Sequence, residues 1–169
     1  MEIRRATPND LDDMLRIYAV ARQFMKTSKN PDQWGDTWPP FWVVEQYTRA
    51  NGYVVLENGK IIAAFGLYEN ADDTSYRTID GKWLNDKPYA VIHTLASDGT
   101  TKGVAHFVFE WAVEKCGNVR IDTHEKNTPM IKVLERDGWT YCGIIHIAEK
   151  DFDGDTKRVA YQKVKNQLF

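Results

Sequence analysis

The sequence predicts an α/β fold of the α+β kind: a mixed, mostly antiparallel central sheet with helices on both faces. Three observations predict it. GYVVLE-NGK-IIAAFGLYE reads as strand, tight turn and strand, with the Asn-Gly pair that a two-residue hairpin turn demands. YAVIHTLA, a short glycine-containing loop, an apolar helical stripe and VRIDT read as a β-α-β unit. The segments 139–148 and 158–164 then read as a closing antiparallel pair across the loop EKDFDGDTK.

The remaining elements follow from spacing and punctuation. Glu2 to Ala6 is a first strand, and Thr7-Pro8 supplies an N-cap followed by proline at the first helical position. Leu11, Met14, Leu15, Tyr18, Ala21 and Met25 then form one apolar stripe of a helix ending near Met25. KTSKNPDQWGDTWPP is polar and broken, and Phe41 to Ala50 is a second helix entered through Pro39-Pro40. Glu69 to Lys87 is polar and Asp-rich, a long loop with a short element around Tyr76 to Ile79. Val104, Phe107, Val108, Trp111 and Ala112 make the stripe of a helix over 102–116, and Thr128 to Asp137 is another helix that Gly138 ends. The order is β-α-α-β-β-β-α-β-α-β-β.

Composition narrows the function classes. With 169 residues, 43% of them hydrophobic, residues 1–169 make one domain with a proper core. A net charge of −2 offers no general attraction to nucleic acid or to anionic membranes, so neither is expected as a partner, and small molecules are. No apolar run approaches the ~20 residues of a membrane span, and MEIRRATPNDLDD lacks a secretory apolar stretch, so the expected compartment is the cytoplasm. Cys116 and Cys142 are isolated and lack metal-ligand spacing; they read as reduced packing thiols, and no metal is expected.

The stretch SDGTTKGVAHF opens a helix. A helix start has unpartnered N–H groups and a partial positive charge, which makes it an anion seat. Gly103 lets the backbone approach a diphosphate, Ala105 is small, and Lys102 adds charge. Neither the P-loop spacing nor G-x-G-x-x-G is present.

The order of elements, together with IHTLAS-DGTTKGVA and IDTHEKNTPMIKVLERDGW, resembles the GNAT superfamily of N-acetyltransferases over nearly the whole chain. The resemblance implies a GNAT-like sheet with a splayed strand pair at the cofactor site and acetyl-CoA as co-substrate. It also implies a loop of the pattern Arg/Gln-x-x-Gly-x-Gly/Ala whose amides hold the CoA pyrophosphate. That pattern falls on Thr100 to Ala105: Gly103 and Ala105 match, and Thr100 stands where the family usually has Arg or Gln. Thr101, Lys102, Gly103, Val104 and Ala105 are the implied pyrophosphate contacts, Leu95 and Ala96 the strand that orients the pantetheine arm, and Asn127 a further cofactor contact. The family's usual acid, a Tyr seven residues after that Asn, is replaced by Leu134.

Acetyl transfer to an amine needs a base, a polarised thioester carbonyl and a proton for the leaving thiolate. His93 lies two residues before Leu95, so strand alternation puts both side chains on one face, and its ordinary pKa suits a base. A histidine hydrogen-bonded within the sheet is the structural alternative. His124, after VRIDT, is the second catalytic candidate, with a loop or capping role as its alternative. Glu69, ending a strand, and Trp34, in the QWGD turn, are the candidates for contact with the acceptor; Asp72, Asp73 and Asp80 read as a solvated acidic loop. The function expected is acetyl transfer to a primary amine of a small molecule or peptide by direct attack in a ternary complex. A CoA-binding sensor or interaction module without transferase activity is the rival reading. Monomer and homodimer are both open.

Overall fold

The computed structural model describes residues 1–166. Its elements are β1 (Glu2–Arg5), α1 (Leu11–Thr27), α2 (Phe41–Arg49), β2 (Gly52–Glu57), β3 (Lys60–Tyr68), β4 (Asp80–Gly81), β5 (Ala90–Ser97), α3 (Val104–Cys116), β6 (Asn118–Thr123), α4 (Thr128–Arg136), β7 (Thr140–His146) and β8 (Lys157–Val164). The eight strands form one sheet in the order β1-β2-β3-β5-β6-β8-β7-β4. Every neighbouring pair is antiparallel except β5 and β6.

Local chemistry accounts for the elements. Asn58 and Gly59 both take positive φ, which closes the β2–β3 hairpin with the twist its strands require. Pro8 opens a short 3-10 turn over Pro8–Asp10 that runs directly into α1, and Asp10 there accepts two hydrogen bonds from Arg4, at 2.8 and 2.9 Å, tying β1 to α1. The loop over 69–87 differs from expectation. Its short elements are a 3-10 turn at Thr74–Tyr76, where Asp73 caps the Ser75 N–H, and the two-residue β4 paired with β7.

Both faces of the sheet are covered, so β2 and β3 are apolar almost throughout. Tyr53, Val55 and Phe65 pack with Val108, Phe109 and Ala112 of α3 and Leu134 of α4. Val54 and Ala64 face the other way, against Met14, Ile17 and Tyr18 of α1 and Val44 and Tyr47 of α2. No helix among the described residues is long and apolar enough to cross a membrane.

The feature that positions the site is a divergence in the middle of the sheet. The parallel strands β5 and β6 pair only at Ala90–Val119 and Val91–Arg120, so the rest of β5 leaves its neighbour. On its other side, the β3–β5 register shifts between Ala64 and Gly66, and Thr94 takes φ +50. This is a bulge: the residues of β5 no longer alternate between faces there.

Candidate active site

A cleft of about 640 Å³ opens where β5 and β6 part. Ile92, His93, Thr94 and Leu95 of β5 all line it, as do Ile121, Asp122 and Thr123 of β6. Four consecutive side chains of a regular strand would not share one cavity. The expectation that alternation alone brings His93 and Leu95 to one face is therefore corrected: both line the cleft because the bulge at Thr94 and the parted strands expose this length of β5.

His93 does not act alone. Its Nε2 lies 2.6 Å from Asp73 Oδ2, and its ring stands edge-on to Tyr68 at 5.6 Å. Burial works against the imidazolium, yet the hydrogen bond to Asp73 and the charges of Asp73, Asp122 and Glu149 hold the His93 pKa above its ordinary value. Burial likewise disfavours the Asp73 carboxylate, and the His93 contact more than offsets it, so Asp73 titrates below the usual carboxylate range. Deeper in, Asp122 accepts from the Tyr76 hydroxyl at 2.6 Å and faces Arg158 Nε at 3.6 Å.

Two loops make the wall on the α2 side. The loop between α1 and α2 brings Gln33, Trp34 and Trp38; the loop between β7 and β8 brings Glu149 and Phe152. They are joined: Trp38 meets Phe152 edge-on at 5.4 Å, Asp155 N–H donates to the Asp32 carbonyl at 2.9 Å, and buried Arg158 donates to the carbonyls of Gln33 and Asp155. Trp34 lines the cleft from a buried position against Tyr18, with ring centroids 6.1 Å apart, so it is part of the core as well as of the wall. Glu69 lies at the rim and pairs with Lys115 at 3.4 Å.

At the other end of β5 is the loop into α3. Asp98 organises it, accepting from the Thr100 N–H and hydroxyl at 3.0 and 2.6 Å and facing Arg16 at 3.4 Å. The first helical bond of α3 runs from Phe107 N–H to the Gly103 carbonyl, so the amides of Val104, Ala105 and His106 have no partner within the helix. Gly103 itself takes φ +79, with open space where a Cβ would project. Thr101 and Lys102 complete this exposed turn, and Ala96 is buried beneath β3 and α1.

His124 is not at the cleft. It is 1% exposed, its Nε2 bonded to Asp155 at 2.9 Å and its Nδ1 accepting the Lys126 N–H at 3.1 Å. Both ring nitrogens are committed to holding the turn after β6, so the catalytic expectation for His124 is withdrawn. Asn127 does line the cleft, but as the N-cap of α4, accepting the Met130 N–H at 3.3 Å and donating to Gln33 Oε1 at 3.0 Å. Leu134 is fully buried in the core. Among the described residues, one trio, His106, Glu110 and Asp137, has ligand atoms close enough to hold a metal; none of the three lines the cleft, and each already has an ion-pair partner. The place of Asp73, Thr94 and Arg158 in the cleft escapes sequence reading, because only the bulge and the folded-back loops bring them there.

No family model and no curated relative matches the chain. Solved structures do. A GNAT-family acetyltransferase from Streptococcus agalactiae is 26% identical with a TM-score of 0.78, the alignment covering 98% of this chain and 96% of that one. A putative acetyltransferase from Staphylococcus aureus is 22% identical with a TM-score of 0.68, covering 97% and 99%. A phosphinothricin acetyltransferase from Sinorhizobium meliloti, in complex with AcCoA, is 14% identical with a TM-score of 0.64, covering 96% and 87%. The parted parallel strands, the helix start at one end of β5 and the cleft at its bulge define the class as an acetyltransferase fold. The chain has the GNAT fold, and its likeness to the Streptococcus agalactiae protein supports a GNAT-superfamily N-acetyltransferase.

Proposed function

We propose that the enzyme transfers the acetyl group of acetyl-CoA to a primary amine by direct attack in a ternary complex. The observation that carries this reading is that one bulged strand, β5, runs from the His93–Asp73 pair in the cleft to the helix start of α3. On this reading the amides at Val104 and Ala105, with Gly103, Lys102 and Thr101, seat the pyrophosphate, and Leu95 and Ala96 orient the pantetheine arm in the gap that β6 leaves. Support for the co-substrate comes from the family and from the AcCoA complex of the Sinorhizobium meliloti neighbour.

His93 is the base. It takes the ammonium proton, directly or through one water, after which the neutral amine attacks the thioester carbon; the C–N bond forms, the C–S bond breaks, and the proton shed by the attacking nitrogen goes to the departing thiolate. Asp73 supports the imidazolium that results. The acceptor arrives as a cation, a small amine or a peptide amine, and the aromatic wall with the Glu149 carboxylate suits that charge.

The test is release of CoA thiol from acetyl-CoA across spermidine, tyramine and a lysine-containing peptide. Expected are saturation in both substrates, intersecting initial-rate lines and one acetylated amine per thiol. An acetyl-enzyme surviving gel filtration, or thiol release without acetylated amine, would overturn the proposal.

A further inference from the structure

The strained residue at the centre of the cleft is the feature the reaction has not yet used. Thr94 is β-branched and holds φ +50, a backbone region that such residues rarely occupy because the Cβ crowds the carbonyl. Its side chain is only half-buried and faces the cleft, and the Tyr47 hydroxyl lies 2.7 Å from its Oγ1. Tyr47 comes from α2, whose ring is seated against Gly66, where any Cβ would fall 2.7 Å from the ring. The Tyr47–Thr94 contact thus bridges α2 to the bulge, and Thr94 stands between the α3 start and the His93–Asp73 pair.

We propose that the Thr94 hydroxyl, aimed by Tyr47, is a hydrogen-bond donor to the thioester carbonyl oxygen of acetyl-CoA. This deepens the reading of the cleft as an acetyl-CoA site and rests on it. As the amine attacks, the carbonyl π pair moves onto oxygen; when the tetrahedral species collapses, that pair returns and the C–S pair leaves with sulfur. A donor that meets the oxygen throughout stabilises the negative charge without itself losing a proton. Tyr47 suits the positioning role and not the role of acid. Burial, first of all, and the neighbouring phenols of Tyr18 and Tyr68 push its pKa well above the ordinary value, so it stays protonated and can donate to Thr94 Oγ1, leaving the Thr94 O–H to point elsewhere. Two phenols, Tyr47 and Tyr68, thus stand near the site while the usual Tyr position holds Leu134, and neither is needed to ionise.

The experiment uses [1-¹³C]acetyl-CoA bound to the wild-type enzyme and to Thr94→Val, Thr94→Ser, Tyr47→Phe and the Thr94→Val/Tyr47→Phe double variant. The carbonyl stretch is read by difference infrared spectroscopy and the affinity for free CoA by calorimetry. Valine keeps the β-branched shape and serine keeps the hydroxyl. Expected is a red-shifted stretch in the wild type and in Thr94→Ser, a partial return toward the free value in Tyr47→Phe, and a larger return in Thr94→Val that the double variant does not exceed. CoA affinity stays within about threefold throughout, and acetyl transfer falls about 10²-fold in Thr94→Val. A wild-type stretch in Thr94→Val, or a double variant showing the sum of the single effects, overturns the assignment of Thr94 or of Tyr47's action through it. Failure of the wild type to bind CoA at all overturns the underlying reading instead.

Discussion

Gly103 and Gly99 form a matched pair that separates the needs of the backbone from those of the cofactor. Both take left-handed φ, +79 and +78, and in both an added Cβ would meet nothing within 4 Å. Alanine at either position therefore clashes with no protein atom and carries only the conformational penalty of about 1–2 kcal/mol, less the ~0.4–1 kcal/mol that alanine recovers by restricting the unfolded chain. The net loss is roughly 0.5–1 kcal/mol, or about 1–4 °C in Tm for a chain of this size. The two glycines should be equal in this respect. They should differ in affinity, because Gly103 precedes the free amides of α3 and Gly99 does not. Glutamate at 103 sets a carboxylate against a diphosphate at about 4 Å, which costs about 1 kcal/mol in water and about 4 kcal/mol at the lower dielectric of a protein surface, or roughly fivefold to 10³-fold in Kd. Calorimetric titration with CoA and thermal melts of Gly99→Ala, Gly103→Ala and Gly103→Glu give both quantities. Equal CoA affinity for Gly103→Glu and Gly99→Ala would refute the placement of the pyrophosphate.

On the proposed mechanism the His93–Asp73 pair sets the pH dependence. With the His93 pKa held above its ordinary value, the base is protonated on the acid side and kcat/KM rises with pH through that raised pKa; Asp73→Asn removes the supporting charge while burial remains, so the rising limb moves to lower pH. An unmoved limb would show that another group is being titrated. His93→Ala should abolish the limb and lower acetyl transfer by about 10²–10⁴-fold, with affinity for CoA unchanged. For His124, buried with both nitrogens bonded, alanine should cost about 2–4 kcal/mol in denaturant unfolding and leave the pH profile in place. Thr94→Gly should relieve the positive φ and leave stability equal or higher by up to about 1 kcal/mol in the same unfolding assay, despite its lost side chain, while acetyl transfer falls.

Much of the fold is legible because its signals are local. Asn58-Gly59 announces the hairpin, Thr7-Pro8 the approach to α1, and Gly138 the end of α4, each through chemistry confined to a few residues. The helix start with its unpartnered amides is legible for the same reason: it needs only its own backbone. The site around His93 is different in kind. Asp73 reads as one more carboxylate of a solvated loop, and only the return of residues 70–76 over β5 makes it the partner of an imidazole 20 positions away. His124 reads as a catalytic candidate after a strand end, but Asp155, 31 positions further along the chain, occupies its Nε2 in a buried turn. Thr94 carries no signal at all, since a positive φ at a threonine contradicts its own preference and is imposed by the register shift against β3 and the contact from Tyr47.

On the proposed function, that imposed strain also lets one strand serve two substrates of opposite charge. A regular β5 would send alternate side chains into the α1–α2 core and the α3 core, with no length of it open to a ligand. By parting from β6 after Val91 and bulging at Thr94, β5 turns consecutive residues toward one cavity. Beyond Ser97, where β5 ends, the unpartnered amides of α3 and Lys102 favour an anion; in the cavity the Glu149 carboxylate and the indoles of Trp34 and Trp38 favour a cation. On the proposed reading the two reactants are therefore drawn in from opposite ends of a single field and meet beside Thr94 and His93. The net charge of −2 hides this polarity entirely, since the carboxylates on one side and the amides on the other are separated along the strand and not averaged across the surface.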